Sequence, residues 1–237
     1  MKAPPPRSAK VHKGPGLRIK SEIARPRQDA AALFADFDVA DISDHLNRLY
    51  APDEGIKCLS GNGGKLIGPA CTVRVYPGDN LMVHKSLDIA KPGDVIVIDA
   101  RASTLNAVLG DMISTKAKHR GIAGFVVDGY VRDLDTVREH GFPIFARGAT
   151  PIGPLHRGPG EINFPICCGG VVVHPGDLIV ADTSGIVVVP QDHIMPTYRM
   201  LVDYLENSAE YRRNLSAGKF SNAWVDDVLE DIGVVVE

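Results

Sequence analysis

Short, unbroken apolar runs separated by turns rich in Gly, Pro and Asp dominate the middle of the chain. Val95-Ile96-Val97-Ile98-Asp99 and Ala123-Gly124-Phe125-Val126-Val127-Asp128 have no polar position among their apolar residues. That is the pattern of strands covered on both faces. Residues 67–76 alternate and are rich in β-branched side chains, which predicts a strand closed by Pro77-Gly78-Asp79. Between these runs the texture is helical over 81–90, 111–119 and 134–139, with Gly121 placed to stop the second helix and a further strand opening at Ile144. Upstream, Ala30-Ala31-Ala32-Leu33-Phe34 and Val39 to Leu46 read as helices, with Asp41 or Ser43 as a cap for the latter. Residues 51–65 read as a loop, and residues 1–27 as an irregular arm, flexible or packed on a neighbouring subunit. After residue 151 strands dominate, over 165–173, 178–182 and 186–189, followed by a long charged helix from near Asp192 to about residue 217. Three Pro-Gly-Asp triplets, at 77–79, 92–94 and 175–177, repeat a turn chemistry and not a structural unit. The pattern predicts one α/β domain with a β-rich second half and no separating linker.

Composition narrows this picture. At 237 residues, 44% hydrophobic and 23% charged, the chain has enough apolar material for a sizeable core. A net charge of −3 leaves no basic surplus for phosphate backbones, so no nucleic-acid partner is expected. The apolar runs are strand-length, so no membrane span is expected either. The first 20 residues are basic and Pro-rich without an apolar segment, unlike a secretory signal. Cys58, Cys71, Cys167 and Cys168 contain no CxxC spacing. They read as reduced thiols of a cytoplasmic protein, with Cys167 and Cys168 on opposite faces of a strand.

The candidate chemistry lies in two places. Gly110-Asp111-Met112-Ile113 opens a predicted helix, where unpaired N–H groups and the positive end of the dipole form an anion pocket. Taken alone, Asp111 is also an ordinary helix cap. Arg132-Asp133 follows the strand 123–128, beyond the carboxyl end where α/β proteins present ligands. Arg132 has the planar fork for a carboxylate or enolate oxygen, and Asp133 is a hard oxygen donor suited to Mg²⁺ or Mn²⁺. Taken alone, this pair is also a surface ion pair with Asp133 capping the helix 134–139. Twenty residues separate Asp111 from Arg132, enough for a helix, a turn and a strand to bring both to one pocket.

The run AVLGDMISTKAKHRGIAGFVVDGYVRDLDTVREHGFPIFARG resembles the ribonuclease-regulator-like (RraA-like) family, as do GPGEINFPICCGGVVVHPGDLIVADTSGIVVVP and Asp41-Ile42-Ser43-Asp44-His45-Leu46. The family includes class II 4-hydroxy-4-methyl-2-oxoglutarate / 4-carboxy-4-hydroxy-2-oxoadipate aldolases. The resemblance covers about residues 35–218 and keeps the Asp-x20-Arg-Asp spacing of its aldolase members. It implies a layered β/β/α swivelling-type domain with helices flanking a mixed sheet, over 28–220, with a C-terminal extension over 221–237. It implies homotrimers or homohexamers, with sites at subunit interfaces. It also implies roles. Gly110, Asp111, Met112 and Ile113 would bind a pyruvate-like carboxylate, Arg132 would contact substrate and stabilise the enolate, and Asp133 would ligate Mg²⁺ or Mn²⁺. Asp111 would also orient the water, held at the metal, that moves the proton. A catalytic glutamate from a neighbour's C-terminal helix would be Glu210 or Glu206, although the family's usual Lys-Glu pattern is absent here. The expected activity is metal-dependent retro-aldol cleavage of a 4-hydroxy-2-oxo diacid releasing pyruvate, with oxaloacetate decarboxylation as a companion. The alternative is a non-catalytic regulator that binds a ribonuclease.

Other motifs add little. Gly61-Asn62-Gly63-Gly64-Lys65 lacks the spacing and following Ser/Thr of a phosphate loop and reads as a turn. No GxGxxG follows a strand and no HExxH occurs. Lys116 and Lys118 read as solvent-facing, so no Schiff-base lysine is expected. His119 and His140 suit the negative ends of their helices. His156, Arg157 and Glu161 read as parts of a structural loop, with a cover over the pocket as the alternative.

Overall fold

A computed structural model describes residues 10–61 and 64–234. The expectation of an irregular arm therefore falls outside the described residues over 1–9, as does the centre of the 61–65 turn. The chain divides into two compact units, residues 1–198 and 199–237.

The first unit is built on a parallel core of β3 (Leu66–Val75), β4 (Val95–Ala107), β5 (Gly124–Val131) and β6 (Ile144–Ala149), adjacent in chain order. The helices α3 (Leu81–Ser86), α4 (Asp111–His119) and α5 (Leu134–His140) form the successive crossovers. Their apolar residues Met82, Val83, Ile113, Ala117 and Val137 pack into one buried cluster with Ile96, Ile98, Phe125 and Val127. The opposite faces of the same strands, through Val95, Val97 and Val126, enter a second cluster with a β layer. That layer is the hairpin β8 (Ile166–Cys168) and β9 (Val171–Val173) together with β10 (Leu178–Asp182) and β11 (Gly185–Val189). Burial on both faces explains the unbroken apolar runs; each fully buried Ile or Phe contributes roughly 1.5–3 kcal/mol. The result is the expected layering of sheet, sheet and helices. β3 links the layers: Leu66–Pro69 pairs antiparallel with β10, whereas Ala70–Arg74 pairs parallel with β4.

Several boundaries differ from the sequence reading. The arm carries β1 (Leu17–Ile19), parallel to β7 (Gly160–Ile162), which in turn pairs antiparallel with β3. The Leu-Arg-Ile alternation of β1 is only three residues long and all three are exposed, too short a pattern to announce a strand. Farther along, the arm is fastened by Arg25, which pairs with buried Asp94. The loop 51–65 contains β2 (Lys57–Cys58), antiparallel to β6. The run 165–173 is the β8–β9 hairpin and not one strand. β4 continues past Asp99 to Ala107 through two register shifts, with Arg101 and Ala102 in the left-handed region. The helix α1 (Ala30–Leu33) precedes α2 (Val39–His45), which contains Asp41 and Ser43 in its interior, so neither caps it. The first N–H of α2, on Val39, instead donates to Asp182 Oδ2 at 3.2 Å, from the end of β10.

The three Pro-Gly-Asp turns do share their chemistry. Asp79, Asp94 and Asp177 are all buried, and each accepts a nearby backbone N–H, from Leu81, Lys91 and His174 respectively. A row of charge also crosses the sheet. Arg74 contacts both Glu161 (3.1 Å) and Asp99 (3.2 Å), Asp99 is in register with Asp128, and Arg147 pairs with Asp128 and with Asp53. The second unit holds most of α6 (Ile194–Ser216) and α7 (Ala223–Asp231). No helix among the described residues is long and apolar enough to cross a membrane.

Candidate functional site

The carboxyl ends of the four parallel strands open at one edge, and backbone hydrogen bonds stitch the following loops together. Arg132 N–H donates to Leu109 O (3.0 Å), Val108 N–H to Tyr130 O (2.9 Å), Thr150 N–H to Val131 O (3.0 Å) and Ala107 N–H to Ile152 O (2.8 Å). The long β4 brings this about: its extension returns the chain beside Tyr130 and delivers Gly110 to the start of α4. β5 likewise runs to Val131, so Arg132 and Asp133 leave directly from its end. Asp128, farther back on β5, is structural: it is buried, pairs with Arg147 and accepts Gly169 N–H at 2.9 Å.

Gly110 is the extended N-cap of α4, and the first helical bond runs from Ser114 N–H to Gly110 O (3.1 Å). The N–H groups of Asp111, Met112 and Ile113 therefore precede the helical ladder and carry the positive end of the dipole. One of them is engaged: Met112 N–H donates to Asp111 Oδ1 at 2.6 Å. The cradle for an external anion thus centres on the Asp111 and Ile113 amides, and the Met112 side chain is exposed.

Asp133 adopts a left-handed backbone (φ 58°, ψ 39°), uncommon for a non-glycine residue. It occupies the N-cap position of α5, yet its side chain makes no capping bond there. The carboxylate turns instead towards Gly110 and lies 3.2 Å from Arg132 Nε. A β-carbon at Gly110 would collide with Asp133 Oδ2 and stand 2.8 Å from Arg132 Cγ. One at Gly153 would stand 2.8 Å from Arg132 Nη1. Two glycines thus leave the space that the arginine and the aspartate occupy.

A cavity of about 260 Å³ is lined by Asn80, His84, Gly110, Asp111, Arg132 and His156. Asp111 and Arg132 also line an adjoining open hollow with Asp133, Asp135 and Thr150. The sequence-predicted residues Gly110, Asp111, Met112, Ile113 and Arg132 share the cavity, and Asp133 borders it through Arg132. Glu206 and Glu210 are exposed on α6, in the second unit. Lys116 and Lys118 are exposed, as expected. A larger groove, about 780 Å³, is lined by the start of α2 and the β10–β11 turn, but no arginine lines it, and the first N–H of α2 there is taken by Asp182.

Sequence reasoning missed Asn80 and His84 and placed His156 in a structural loop. Asn80 precedes α3 and His84 lies four residues later, a spacing that stacks side chains on one helix face. Burial, with Lys116 and His156 nearby, lowers the pKa of His84 and so favours its neutral form. Glu161, read with His156, belongs instead to the charged row on β7.

Among the described residues no three His, Cys, Asp or Glu side chains converge as a metal cage. The exposed Asp133 carboxylate is a single hard donor, which fits a cation that keeps most of its waters, as Mg²⁺ does, and not a closed zinc site.

A family model described as RraA-like, Aldolase/RraA, matches residues 39–188, and the chain belongs to that family. A Halalkalibacterium halodurans protein named "Putative 4-hydroxy-4-methyl-2-oxoglutarate aldolase" is 49% identical over 150 residues, covering 63% of this chain and 71% of its own. An Ectopseudomonas mendocina protein of the same name is 37% identical, over 66% of this chain and 96% of its own. The crystal structure of Streptomyces coelicolor RraAS2, described as an unusual member of the RNase ES inhibitor RraA protein family, superposes with a TM-score of 0.73 at 32% identity, over 81% of this chain and 99% of that one. The family thus contains relatives named as aldolases beside relatives named as ribonuclease inhibitors.

Proposed function

We propose that this protein is a divalent-metal-dependent pyruvate aldolase that cleaves a 4-hydroxy-2-oxo diacid of the 4-hydroxy-4-methyl-2-oxoglutarate or 4-carboxy-4-hydroxy-2-oxoadipate type. The observation that carries this reading is the meeting of the α4 N-terminus, Arg132 and Asp133 around Gly110. The C1 carboxylate of the substrate lies against the Asp111 and Ile113 amides, where the helix dipole favours an anion. A divalent cation held by Asp133 supplies Lewis-acid polarisation of the 2-oxo group when bound. Breaking C3–C4 sends its electron pair towards C3 and the C2 oxygen, which acquires negative charge. Arg132 meets that charge with its Nη donors, its Nε being occupied by Asp133. Such preorganised donors contribute about 10²–10³-fold each. Asp111 orients a water for proton delivery to C3. Loss of CO₂ from oxaloacetate generates the same pyruvate enolate, so the site also suits that decarboxylation. The protein acts as a homotrimer or homohexamer, in which Glu206 or Glu210 of α6 reaches a neighbouring copy's site.

The test is to mix the protein with Mg²⁺ and either 4-hydroxy-4-methyl-2-oxoglutarate or oxaloacetate and follow pyruvate. Asp133→Ala is expected to lose metal-dependent turnover by about 10²-fold or more, and chelation is expected to silence the parent. Full activity in Asp133→Ala overturns the ligand assignment. No pyruvate from either acid, with Arg132→Ala behaving as the parent, favours instead a non-catalytic regulator that binds a ribonuclease, in line with the inhibitor family to which the S. coelicolor relative is assigned.

A further inference from the structure

We infer that His156 is the base that takes the C4-hydroxyl proton, and that Asn80 positions it; the assignment rests on the aldolase reading above. The cleavage requires an acceptor for this proton, separate from the water at C3. The hydroxyl lies two carbons beyond the 2-oxo group, on the side of the cavity away from the α4 amides. His156 lines the same cavity as Gly110, Asp111 and Arg132, the groups that hold the substrate in this reading.

The hydrogen bonds around Asn80 settle which nitrogen of His156 is available. Asn80 is buried, and its Nδ2 donates to Val108 O at 2.9 Å. A carbonyl oxygen only accepts, so the amide cannot be turned round, and Oδ1 necessarily faces His156 Nδ1, at 2.7 Å. Since Oδ1 also only accepts, Nδ1 carries the hydrogen. In the neutral ring Nε2 is then the unprotonated nitrogen, the state a general base needs.

The backbone is held as firmly as the ring. Leu155 N–H donates to Gly78 O (2.7 Å) and Leu155 O accepts Asn80 N–H (3.0 Å). Asp79 Oδ2 accepts the N–H groups of both Arg157 and Gly158 at 2.7 Å, while its Oδ1 accepts Leu81 N–H at 2.8 Å. The segment 155–158 is thereby strapped to the turn before α3. The His84 ring stands edge-on to His156, with centroids 5.6 Å apart, and walls its side. The charged and titratable groups around this segment are Asp79, His84, Asp111, Lys116, Arg132 and Arg157.

The step balances without an outside reagent. The O–H bond of the C4 hydroxyl breaks and its proton moves to Nε2. The oxygen lone pair forms C4=O, and the C3–C4 pair becomes the enolate of pyruvate. His156 is exposed at the cavity rim, so it returns its proton to solvent while C3 receives one from the Asp111-oriented water.

His156→Asn separates a base from a strap. The asparagine amide nitrogen takes the place of Nδ1 and can still donate to Asn80, but nothing replaces Nε2. With Mg²⁺ and 4-hydroxy-4-methyl-2-oxoglutarate, we expect an unchanged melting temperature, KM within about twofold and kcat lowered about 10²–10⁴-fold. Parent-like kcat in His156→Asn, with an active parent, overturns the assignment and leaves the aldolase reading intact. A parent inactive on both acids takes down the aldolase reading and this assignment with it. Imidazole ¹⁵N shifts give an independent readout: the neutral His156 ring is expected as the Nδ1–H tautomer, and an Nε2–H tautomer overturns the inference whatever the turnover.

Discussion

Gly110 and Asp133 meet so closely that a β-carbon on the first would occupy the space of the second's carboxylate. One residue starts α4, the other precedes α5, and β5 separates them in the chain. Gly110→Ala is expected to displace Asp133 and the Arg132 stem together. Overpacking of this kind costs about 1–3 kcal/mol, so the melting temperature should fall by several degrees. Misplacing the arginine and the carboxylate should lower kcat/KM about 10²-fold. Thermal melts and pyruvate release on the same variant check both; parent-like activity would show that the tight contact has no functional role.

Arg132→Lys keeps the charge and loses the planar fork. A lysine ammonium cannot face both Asp133 and a developing enolate oxygen in one plane. The expected result is a kcat lower by about 10²–10³-fold with a smaller change in KM, read from steady-state kinetics.

Glu161 links the arm to the sheet and should make stability depend on acid. Burial pushes its pKa up, but Gly16 N–H, Arg18 and Arg74 outweigh burial and hold it below the usual glutamate value. A depressed folded-state pKa stabilises the protein above the unfolded value, about 4.3, and that stability is lost as pH falls through the folded value. Urea midpoints measured between about pH 6 and pH 3 should fall more steeply for the parent than for Glu161→Gln. Equal slopes would mean that the carboxylate contributes nothing.

The cysteines should separate by burial. Cys71 is buried, which pushes its thiol up to about 12, and burial raises Cys168 as well. Cys167, on the face of β8 opposite Cys168, is exposed. Alkylation of the native protein at pH 7.5 or so should mark Cys167 first, with Cys71 and Cys168 reacting only after denaturation. Mass spectrometry of peptides reads the order; early labelling of Cys71 would contradict the packing.

The α/β units were legible because their signals are local. The runs 95–99 and 123–128 announce strands by their unbroken hydrophobicity, and Gly110 and Gly121 bracket α4 at its ends. The pairing of Arg132 with Asp133 and the cradle at Gly110 followed from the family resemblance and from strand-end position. The cap of α2 was not legible, because it comes from Asp182, over a hundred residues away. Nor was β1, whose three exposed residues depend on a parallel partner near residue 161.

Hydrophobic period and turn chemistry therefore determined which segments become strands and helices, since both act between residues a few positions apart. Where the chain's loops meet was decided by tertiary packing. The extended β4 carries Gly110 to Asp133, and the strap from Asp79 and Asn80 carries His156 to the cavity. Those arrangements rest on hydrogen bonds between segments distant in sequence, whose partners no local pattern specifies.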